Sequence, residues 1–382
     1  MEEKAPINAS IGNHFATLED PRIDRRKLHN LIDILTIGIC AVICGADDYP
    51  SIYAFGKAKE SWLGTFLELP NGIPSSDTFW RVFGAIDSEQ FQSCFLSWMT
   101  EISQVTTGEI IALDGKQLRR SHDKSAGKSA IHMVSAWATS NRMVLGQVKV
   151  NEKSNEITAI PELLSRLDLS GCLVTLDAMG CQVKIAQQIV DQGGDYLISL
   201  KGNQSNLHED VELLFNDLEE SNYKAYTYDY CKKANKGHGR IEIRNCWTIS
   251  DPELIQHLRG ANRFAKLHTV VKVRAERRIE GKKPSLEDRY FIGSATSQAT
   301  DALNATRTHW QIENSLHWVL DIAFREDESR IRKNNGAQNF AVLRHIALNA
   351  LKRDTSSKVG IKNRRLKAGW DEQYLRSVLA LI

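Results

Sequence analysis

The sequence contains 382 residues, which exceeds the length of one typical small domain and predicts two or three structural units. Hydrophobic residues make up 42% and charged residues 25%, which are ordinary values for a soluble globular protein that buries a sizeable core. The net charge of +2 neither requires nor excludes a nucleic-acid partner, because local patches of charge decide such binding.

The N-terminus and the cysteines favour a cytoplasmic location without a membrane partner. The N-terminal segment is acidic and lacks the apolar centre of a signal peptide. The most apolar run, Leu31–Gly45, is too short to span a bilayer and contains Asp33, which indicates a buried helix. The seven cysteines lack the paired spacing of a zinc site and are predicted to be buried free thiols, which fits a reducing cytoplasm.

Residues 1–104 are predicted to form a helical N-terminal domain. Apolar side chains recur at helical spacing near its start, namely at Leu28, Leu31, Ile32, Leu35 and Ile39. Asp77 is placed to cap a helix that begins at Thr78. Tyr49-Pro50 and residues 69–72 are typical of loops, because proline and glycine interrupt regular structure.

Residues 105–350 are predicted to form an α+β or mixed domain around a mixed sheet. Runs of β-forming residues alternate with stretches at helical spacing in the order βββ-α-β-α-β. The predicted elements lie at 109–114, 131–138, 143–150, 157–167, 172–176, 184–190 and 195–200.

A β-rich insertion is predicted within this domain, at about residues 221–293. Its strands, which polar loops connect, are predicted at 223–230, 240–250, 267–278 and 289–293. Helical spacing returns near Thr300 and continues through Glu313 to about Phe324. A further amphipathic helix is predicted at 337–351.

Two aspartates follow predicted strands at positions where a sheet can carry a site. Asp114 ends the strand at 109–114, and Asp177 follows the strand at 172–176. Residues at the carboxyl ends of such strands meet at one edge of the sheet, where α/β sites collect. Two neighbouring buried carboxylates need a cation, and Mg²⁺ binds carboxylate oxygens while it keeps waters for a substrate phosphate. The alternative is that each Asp is a turn residue or a helix cap.

A third carboxylate, Glu313, lies between two histidines in the predicted helix. The spacing i, i+4, i+8 places His309, Glu313 and His317 on one helix face. One interpretation is a zinc site of the His-x₃-Glu-x₃-His type, although the His-Glu-x-x-His pattern of metallopeptidases is absent. A second is that Glu313 binds Mg²⁺ while the histidines contact phosphate or hold the helix in place. A third is an amphipathic helix whose polar residues face solvent.

Several motifs of the sequence occur together in a known family. They are Ile111–Lys116, Thr175–Gln182, Gly239–Arg244 and His309–Asp321, with a further match at Ser76–Phe83 in the helical N-terminal domain. In these motifs and over nearly its whole length, the chain resembles the bacterial insertion-sequence transposases of the ISAs type, also called H-repeat-associated proteins. The resemblance implies a DDE transposase with a ribonuclease-H-like catalytic core and a β-rich insertion between the second Asp and the Glu.

The resemblance also implies which residues act and on what substrate. Asp114, Asp177 and Glu313 are implied to be a catalytic and metal-binding triad for Mg²⁺, for which Mn²⁺ can substitute. The implied reaction is cleavage of double-stranded DNA at transposon ends and transfer of the ends into target DNA. Because two DNA ends come together in such a reaction, a homodimer on DNA is expected, in a cytoplasmic, nucleoid-associated location.

The surroundings of Glu313 depart from the pattern of the related subgroup. That subgroup has Tyr, Arg and Lys at positions −7, −4 and +7 from the catalytic Glu, where this sequence has Thr306, His309 and Leu320. The candidates to compensate are Arg307, His317 and Arg325. The departure concerns the hairpin mechanism of that subgroup and not the metal chemistry.

Basic residues near the triad and in the insertion are candidate DNA contacts, because Lys and Arg bind phosphates. The predicted DNA-binding residues are Lys116, Arg119, Arg120, Arg240, Arg244, Trp247, Arg307, His309 and His317. The broader basic patches are 116–128, 272–283 and 352–367, the last within a basic helical C-terminal tail at 351–382. Each patch is alternatively a solvated surface, and Trp247 either stacks on an extruded base or packs in the core of the insertion.

Two other functions stay open on the sequence alone. A stand-alone nuclease with the same core would cut DNA without joining ends, and strand transfer of a labelled oligonucleotide distinguishes it. A catalytically silent, domesticated DNA-binding protein would bind DNA without cleavage in Mg²⁺ or Mn²⁺. The intact triad argues against the second alternative.

Overall fold

The N-terminal part of the protein is a set of packed helices. The computed structural model describes residues 12–103, 107–122, 129–150, 155–237, 239–295 and 298–382. The first helices are α1 (Leu31–Ile43), α2 (Tyr49–Ala58), α3 (Glu60–Leu63), α4 (Ser76–Ala85) and α5 (Ser88–Ile102). Helix α1 is buried from Asp33 to Ile43, as its apolar sequence predicts. Among the described residues, no helix has the length and apolar character needed to cross a bilayer.

Two of these helices begin differently from the prediction. Tyr49-Pro50, predicted to lie in a loop, opens α2, because Asp48 caps the helix and proline is tolerated in a first helical turn. In α4, the Ser75 hydroxyl accepts the N–H of Thr78 at 3.2 Å, so Ser75 caps this helix. The cap predicted at Asp77 is therefore wrong, and Asp77 lies inside the first turn.

A nine-stranded sheet forms the centre of the protein. Its strands are β1 (Ile110–Gln117), β2 (His132–Ala138), β3 (Met143–Val150), β4 (Leu173–Leu176), β5 (Asp195–Leu200), β6 (Asp229–Gly237), β7 (Arg240–Ile249), β8 (Thr269–Ile279) and β9 (Ser285–Gly293). Their order across the sheet is β3-β2-β1-β4-β5-β9-β8-β7-β6. Strand β4 pairs in parallel with β1 and β5, and the other neighbours pair antiparallel. The predicted mixed α/β fold with a large mixed sheet is confirmed.

The insertion extends the main sheet. Strand β9 pairs antiparallel with β5, with Gly293 opposite Leu197, so β6 to β9 continue the sheet that β1 to β5 begin. The strand predicted at 223–230 is wrong, because β6 starts only at Asp229. Tyr223 has a φ of 62°, and this left-handed conformation is incompatible with a strand.

Helices cover both faces of the sheet. On one face lie α6 (Glu156–Leu164), α7 (Val183–Asp191), α8 (Ser205–Glu220) and α9 (Pro252–His257). They share an apolar core with sheet residues such as Ile198 and Val270. Helix α10 (Ala299–His309) packs on the opposite face, against the neighbouring residues Leu197 and Val271, because successive strand residues point to opposite sides. The sequence pattern does not predict α8 and α9.

The C-terminal helices complete the core of the N-terminal helices. They are α11 (Trp318–Ala323), α12 (Gly336–Arg353), α13 (Ile361–Trp370) and α14 (Glu372–Leu379). Helix α12 packs on α1, α4 and α5, and residues from both parts of the chain, such as Ile34 and Leu343, share one apolar core. The domain boundaries at residues 104 and 350 stay predictions.

The segment that carries Glu313 is not one uninterrupted helix. Helix α10 ends at His309, and a π-helical segment spans Glu313–His317 before α11 begins.

The C-terminal tail contains a buried basic residue. Arg365 is buried and donates a hydrogen bond to the carbonyl oxygen of Val42 at 2.9 Å, so the basic patch of the tail is partly inside the protein.

Candidate active site

Asp114, Asp177 and Glu313 line one pocket of about 300 Å³. Asp114 lies in β1, Asp177 directly follows β4, and Glu313 opens the π-helical segment. Because β1 and β4 pair in parallel with Ala112 beside Thr175, the two aspartates lie side by side two residues further along. The structure therefore brings the three predicted carboxylates to one place.

Asp114 does not end its strand, in contrast to the prediction. Strand β1 continues to Gln117 because β2 still pairs with it there, whereas β4 stops at Leu176. Asp114 therefore lies where one neighbouring strand has ended, and its side chain lines the pocket that this gap leaves.

Asp177 forms the turn that the sequence offered as an alternative, and it also lines the pocket. Its Oδ1 accepts the N–H of Met179 at 3.0 Å and of Gly180 at 3.1 Å, which fixes the turn after β4. No described residue forms a hydrogen bond with its Oδ2, so this oxygen is available in the pocket.

The carboxylates of Asp114 and Glu313 meet at the imidazole of His317. His317 Nδ1 lies 3.1 Å from Glu313 Oε2 and 3.6 Å from Asp114 Oδ2. One candidate ligand atom from each of these residues lies within 4.8 Å of the other two, a spacing that suits a bound metal ion. The predicted DNA contact of His317 is wrong, because the residue is 3% exposed and faces carboxylates.

The negative charge around Asp114 favours a bound cation. Burial is the main cause that raises the pKa of the Asp114 carboxyl to about 7, although the N–H of Gly115 opposes the rise. The charges of Asp177, Glu156 and Glu313 contribute to the same rise. In the described part of the chain, no lysine or arginine pairs with the three predicted carboxylates. A divalent cation would neutralise them, and their oxygens suit a hard ion such as Mg²⁺.

Glu156 is a pocket neighbour that the sequence analysis missed. It opens α6, and its Oε1 lies 2.8 Å from His132 Nε2. Its charge contributes to the raised pKa of Asp114, and its own pKa is raised by burial and by the charge of Asp177, against the effect of His132. A Cβ on Gly115 would overlap the Glu156 carboxylate, so only glycine at this position lets the carboxylate lie where it does. The glycine directly after Asp114 was the available signal in the sequence.

His309 lines the pocket, whereas His317 lies behind the carboxylates and is not among the lining residues. The Nδ1 of His309 lies 3.1 Å from Thr175 Oγ1, and burial lowers the pKa of His309, although the charge of Asp177 opposes the lowering. A neutral imidazole is a poor replacement for the phosphate-binding Arg of the related subgroup. Within the described residues, the structure does not assemble the zinc set His-x₃-Glu-x₃-His, because the cluster of His317 and Glu313 does not include His309.

The ammonium group of Lys116 forms its contacts inside the protein. Its Nζ donates to the carboxylates of Asp321 and Glu326, the latter at 3.0 Å, and to the carbonyl oxygen of His317 at 3.3 Å. The side chains of Lys116 and Glu326 are 12% and 2% exposed. The predicted DNA contact of Lys116 is therefore wrong, because two carboxylates neutralise its charge. Lys116 instead fastens β1 to the segment that carries Glu313.

Trp247 packs in the core and is not available to stack on an extruded base. The indole is 7% exposed and packs against the rings of Tyr223 and Tyr230, at centroid distances of 6.0 Å and 5.3 Å. The core interpretation is confirmed, and the DNA-binding interpretation of Trp247 is wrong. The sequence is compatible with both, because it does not reveal which segment covers this face of β7.

A basic groove of about 920 Å³ opens next to the pocket. Its lining includes five arginines: Arg240, Arg244, Arg277, Arg289 and Arg307. Three glutamates line it as well, so the arginines are in excess. The groove and the pocket of the three carboxylates have lining residues in common, including Arg289 and Trp310, so the two cavities adjoin. Trp310 is 53% exposed, and the guanidinium of Arg289 lies 5.1 Å from its ring centroid.

The arginines of the basic groove differ in whether they form ion pairs with neighbouring residues. Arg240 and Arg244 both pair with Glu242, at 2.8 Å and 2.5 Å. Arg277 and Arg307 form no ion pair with any residue that the structure describes. The groove therefore contains the predicted contacts Arg240, Arg244 and Arg307, and it adds Arg277, which the sequence did not single out.

Arg119 and Arg120 lie at the surface beyond β1. Arg119 Nε is 3.2 Å from Asp327 Oδ2, and its side chain is 76% exposed. The carbonyl oxygen of Arg120 accepts a hydrogen bond from Arg332 Nε at 2.8 Å. Residues 123–128 of the same basic patch lie outside the described residues. The DNA contacts of Arg119 and Arg120 stay predictions.

Two known domain families match most of the chain. The DDE_Tnp_1-associated family matches residues 12–99, and the transposase DDE domain matches residues 82–350. YhhI, an H repeat-associated protein of Escherichia coli strain K12, is 42% identical over 368 residues, which cover 96% of this chain and 97% of the relative. The chain belongs to the H-repeat-associated family of DDE transposases.

Further matches of this DDE transposase also extend over most of its length. YncI of Escherichia coli O157:H7 is 42% identical over 372 residues, which cover 97% of this chain and 94% of the relative. The cryo-EM structure of the piggyBac transposase synaptic complex with hairpin DNA has a TM-score of 0.44 and 10% identity, and it covers 97% of this chain and 77% of that chain. The resemblance inferred from the motifs is confirmed, and membership in the DDE transposases implies the use of a divalent metal ion.

Proposed function

We propose that this DDE transposase cuts DNA at transposon ends and joins the freed ends to target DNA, with divalent metal ions held by Asp114, Asp177 and Glu313. The observation that carries the proposal is the convergence of these carboxylates on one pocket without a lysine or arginine partner among the described residues. Their oxygens fit Mg²⁺, and Mn²⁺ can substitute for it. When bound, such ions lower the pKa of the attacking water and stabilise the leaving oxygen of the phosphodiester.

The residues around the pocket orient the carboxylates for this role. The N–H groups of Met179 and Gly180 hold one oxygen of Asp177, which leaves the other oxygen for a ligand. Lys116 ties β1 to the segment of Glu313, so the spacing between Asp114 and Glu313 is set by a buried contact. Fixed ligands of this kind favour the transition state, because they need no rearrangement during the reaction.

The basic groove is the proposed path of the DNA backbone towards the pocket. Arg277 and Arg307, which have no ion-pair partner in the described part of the chain, can bind phosphates. Arg289, which pairs with Glu287 at 2.8 Å, lines both the groove and the pocket. Arg240 and Arg244 line the same groove, where a phosphate can compete with Glu242 for their guanidinium groups. Contacts of this kind position the duplex without reading its sequence.

The proposal includes a ribonuclease-H-like core and a homodimer on double-stranded DNA. The location of Asp114 on the first strand and of Asp177 after the fourth strand supports the core assignment. Two transposon ends require two active sites, which a homodimer supplies. A DNA substrate places the protein on the nucleoid. The proposed domains are 1–104, 105–350 and 351–382.

The proposal is tested with the purified protein, Mg²⁺ and a labelled duplex that carries a terminal repeat and its flank. Nicking at the repeat end and joining to a target plasmid are expected, and Asp177→Asn should abolish both, because it removes the charge and keeps the side-chain size. Asp168→Asn is the matched control, since Asp168 also accepts a turn N–H, that of Ser170, but does not line the pocket.

Each other outcome has a distinct meaning. Nicking without joining would favour a stand-alone nuclease. DNA binding without either reaction would favour a catalytically silent DNA-binding protein. Activity that survives in Asp177→Asn would contradict the triad.

A further inference from the structure

His317 is a buried polar residue whose ring faces two of the proposed metal ligands. Its Nδ1 lies 3.1 Å from Glu313 Oε2 and 3.6 Å from Asp114 Oδ2. The residue is 3% exposed, and the described residues offer its Nε2 no hydrogen-bond partner. The ring is therefore held against the two carboxylates and is almost fully shielded from solvent.

We propose that His317 binds a divalent metal ion through Nδ1, together with Asp114 and Glu313, which gives this ion a mixed nitrogen and oxygen ligand set. The inference rests on the proposed metal-dependent function and adds a ligand that the triad does not contain. Asp177 lies outside this cluster of three residues and remains an oxygen ligand for a second ion in the same pocket.

The distances around Nδ1 match those between ligands of one ion. Ligand atoms about 2.1 Å from an octahedral ion lie about 3.0 Å apart in adjacent positions. Around a tetrahedral ion the separation is about 3.4 Å. The two measured nitrogen–oxygen distances are 3.1 Å and 3.6 Å. A hydrogen bond accounts for the contact with Glu313, but the approach to Asp114 lies beyond hydrogen-bond distance, and a shared ion accounts for both.

The backbone around His317 holds the ring in this position. A π-helical segment spans Glu313–His317, and such segments are rare and frequent at functional sites. Lys116 Nζ donates to the carbonyl oxygen of His317 at 3.3 Å and to Glu326 at 3.0 Å. Because Lys116 lies two residues after Asp114 in β1, this contact fixes the separation of His317 and Asp114.

A nitrogen ligand changes which metal ion the cluster prefers. Mg²⁺ favours oxygen ligands, whereas transition-metal ions, in the series that begins with Mn²⁺, bind nitrogen more readily. Mn²⁺ is therefore expected to bind the protein more tightly than Mg²⁺. Loss of the imidazole is expected to weaken Mn²⁺ binding by about tenfold or more, the size of effect that even outer-shell changes produce.

Pulsed EPR of Mn²⁺ bound to the full-length wild-type protein tests the inference without a variant. A directly bound imidazole nitrogen modulates the electron spin echo, and this modulation is expected. It should change to the pattern of the heavier isotope when the protein is produced with ¹⁵N-labelled histidine. Bound Mn²⁺ without histidine nitrogen modulation would overturn the inference.

Two histidine variants identify which ring supplies the nitrogen. His317→Gln is expected to lose the modulation and to bind Mn²⁺ about tenfold more weakly. His309→Gln is the matched control, because His309 lines the same pocket but contacts Thr175, and it should keep the modulation. Modulation that survives in His317→Gln, or that disappears in His309→Gln alone, would overturn the assignment.

Asp114→Asn separates this inference from the proposed function. If Mn²⁺ binds equally well to Asp114→Asn and to the wild-type protein, the metal site of the triad is wrong, and the assignment of His317 is overturned with it. If Asp114→Asn loses Mn²⁺ but the wild-type protein shows no nitrogen modulation, only the assignment of His317 is overturned.

Discussion

Replacement of Lys116 by methionine tests whether this residue holds the active site together. Lys116→Met keeps an unbranched side chain but removes the ammonium that bridges Asp321 and Glu326. Glu326 is 2% exposed, and among the described residues its remaining ion-pair partner is Arg344, whose Nη1 lies 3.5 Å from Glu326 Oε1, so the charge of Glu326 stays buried. Removal of one partner from a buried ion pair costs about 3–5 kcal/mol. We expect about 2–4 kcal/mol, because Arg344 still offsets part of the charge.

The free energy of unfolding in urea, measured without metal, is the readout for Lys116→Met. Arg119→Met is the matched control, since Arg119 pairs with Asp327 but its side chain is 76% exposed. An exposed pair contributes less than about 1 kcal/mol, so the control should lose little stability. The salt dependence of DNA affinity should be the same in Lys116→Met and in the wild-type protein. Equal stability losses in the two variants, or a weaker salt dependence in Lys116→Met, would refute the reasoning.

Other substitutions test single contacts of the pocket, the core and the groove. Gly115→Ala should displace the Glu156 carboxylate, which the new Cβ overlaps. The free energy of unfolding in urea should change by less than about 1 kcal/mol, because the glutamate can move. The affinity for Mn²⁺, measured by titration, should fall, and an unchanged affinity would exclude Glu156 from the site. Burial lowers the pKa of Lys352 to about 8 from 10.5, so between these values only the unfolded chain keeps the proton and stability rises with pH. Relative to Lys352→Met, the unfolding free energy should rise by roughly 2–3 kcal/mol from about pH 7 to about pH 10.5; a constant difference would contradict the shift. Arg277→Ala and Arg307→Ala should each reduce the slope of log affinity against log salt by about 0.9, measured by fluorescence anisotropy; unchanged slopes would remove the basic groove from the DNA path.

Local patterns predicted the elements whose neighbours in sequence decide their structure. Strand β3 at Met143–Val150 and strand β5 at Asp195–Leu200 have the predicted bounds, because β-forming runs with clear ends need no distant information. The meeting of Asp114 and Asp177 was predictable for a related reason. Strands β1 and β4 pair in parallel, so Asp114 and Asp177, each two residues beyond a paired position, lie side by side although β1 continues past Asp114.

The features that the sequence did not indicate depend on contacts between residues that are far apart in the chain. Lys116 lies in a basic stretch, and nothing local reveals that Asp321 and Glu326 come within reach of its ammonium. Glu156 approaches Asp114 only because the fold places the start of α6 beside β1. Whether a residue is buried depends on which distant segments cover it, and the residue's type and sequence neighbours say little about those segments.

The apolar core that α1 and α12 share affects how the protein folds during its synthesis. Helix α1 is buried from Asp33 to Ile43, and it packs on α12, which lies far later in the chain and therefore leaves the ribosome well after α1. Until α12 emerges, much of the apolar surface of α1 stays open to chaperones and proteases. We therefore expect that a reading frame interrupted before Gly336 yields a polypeptide that cellular quality control removes. A damaged copy of the gene would then be silent, and its product would not accumulate beside the intact enzyme.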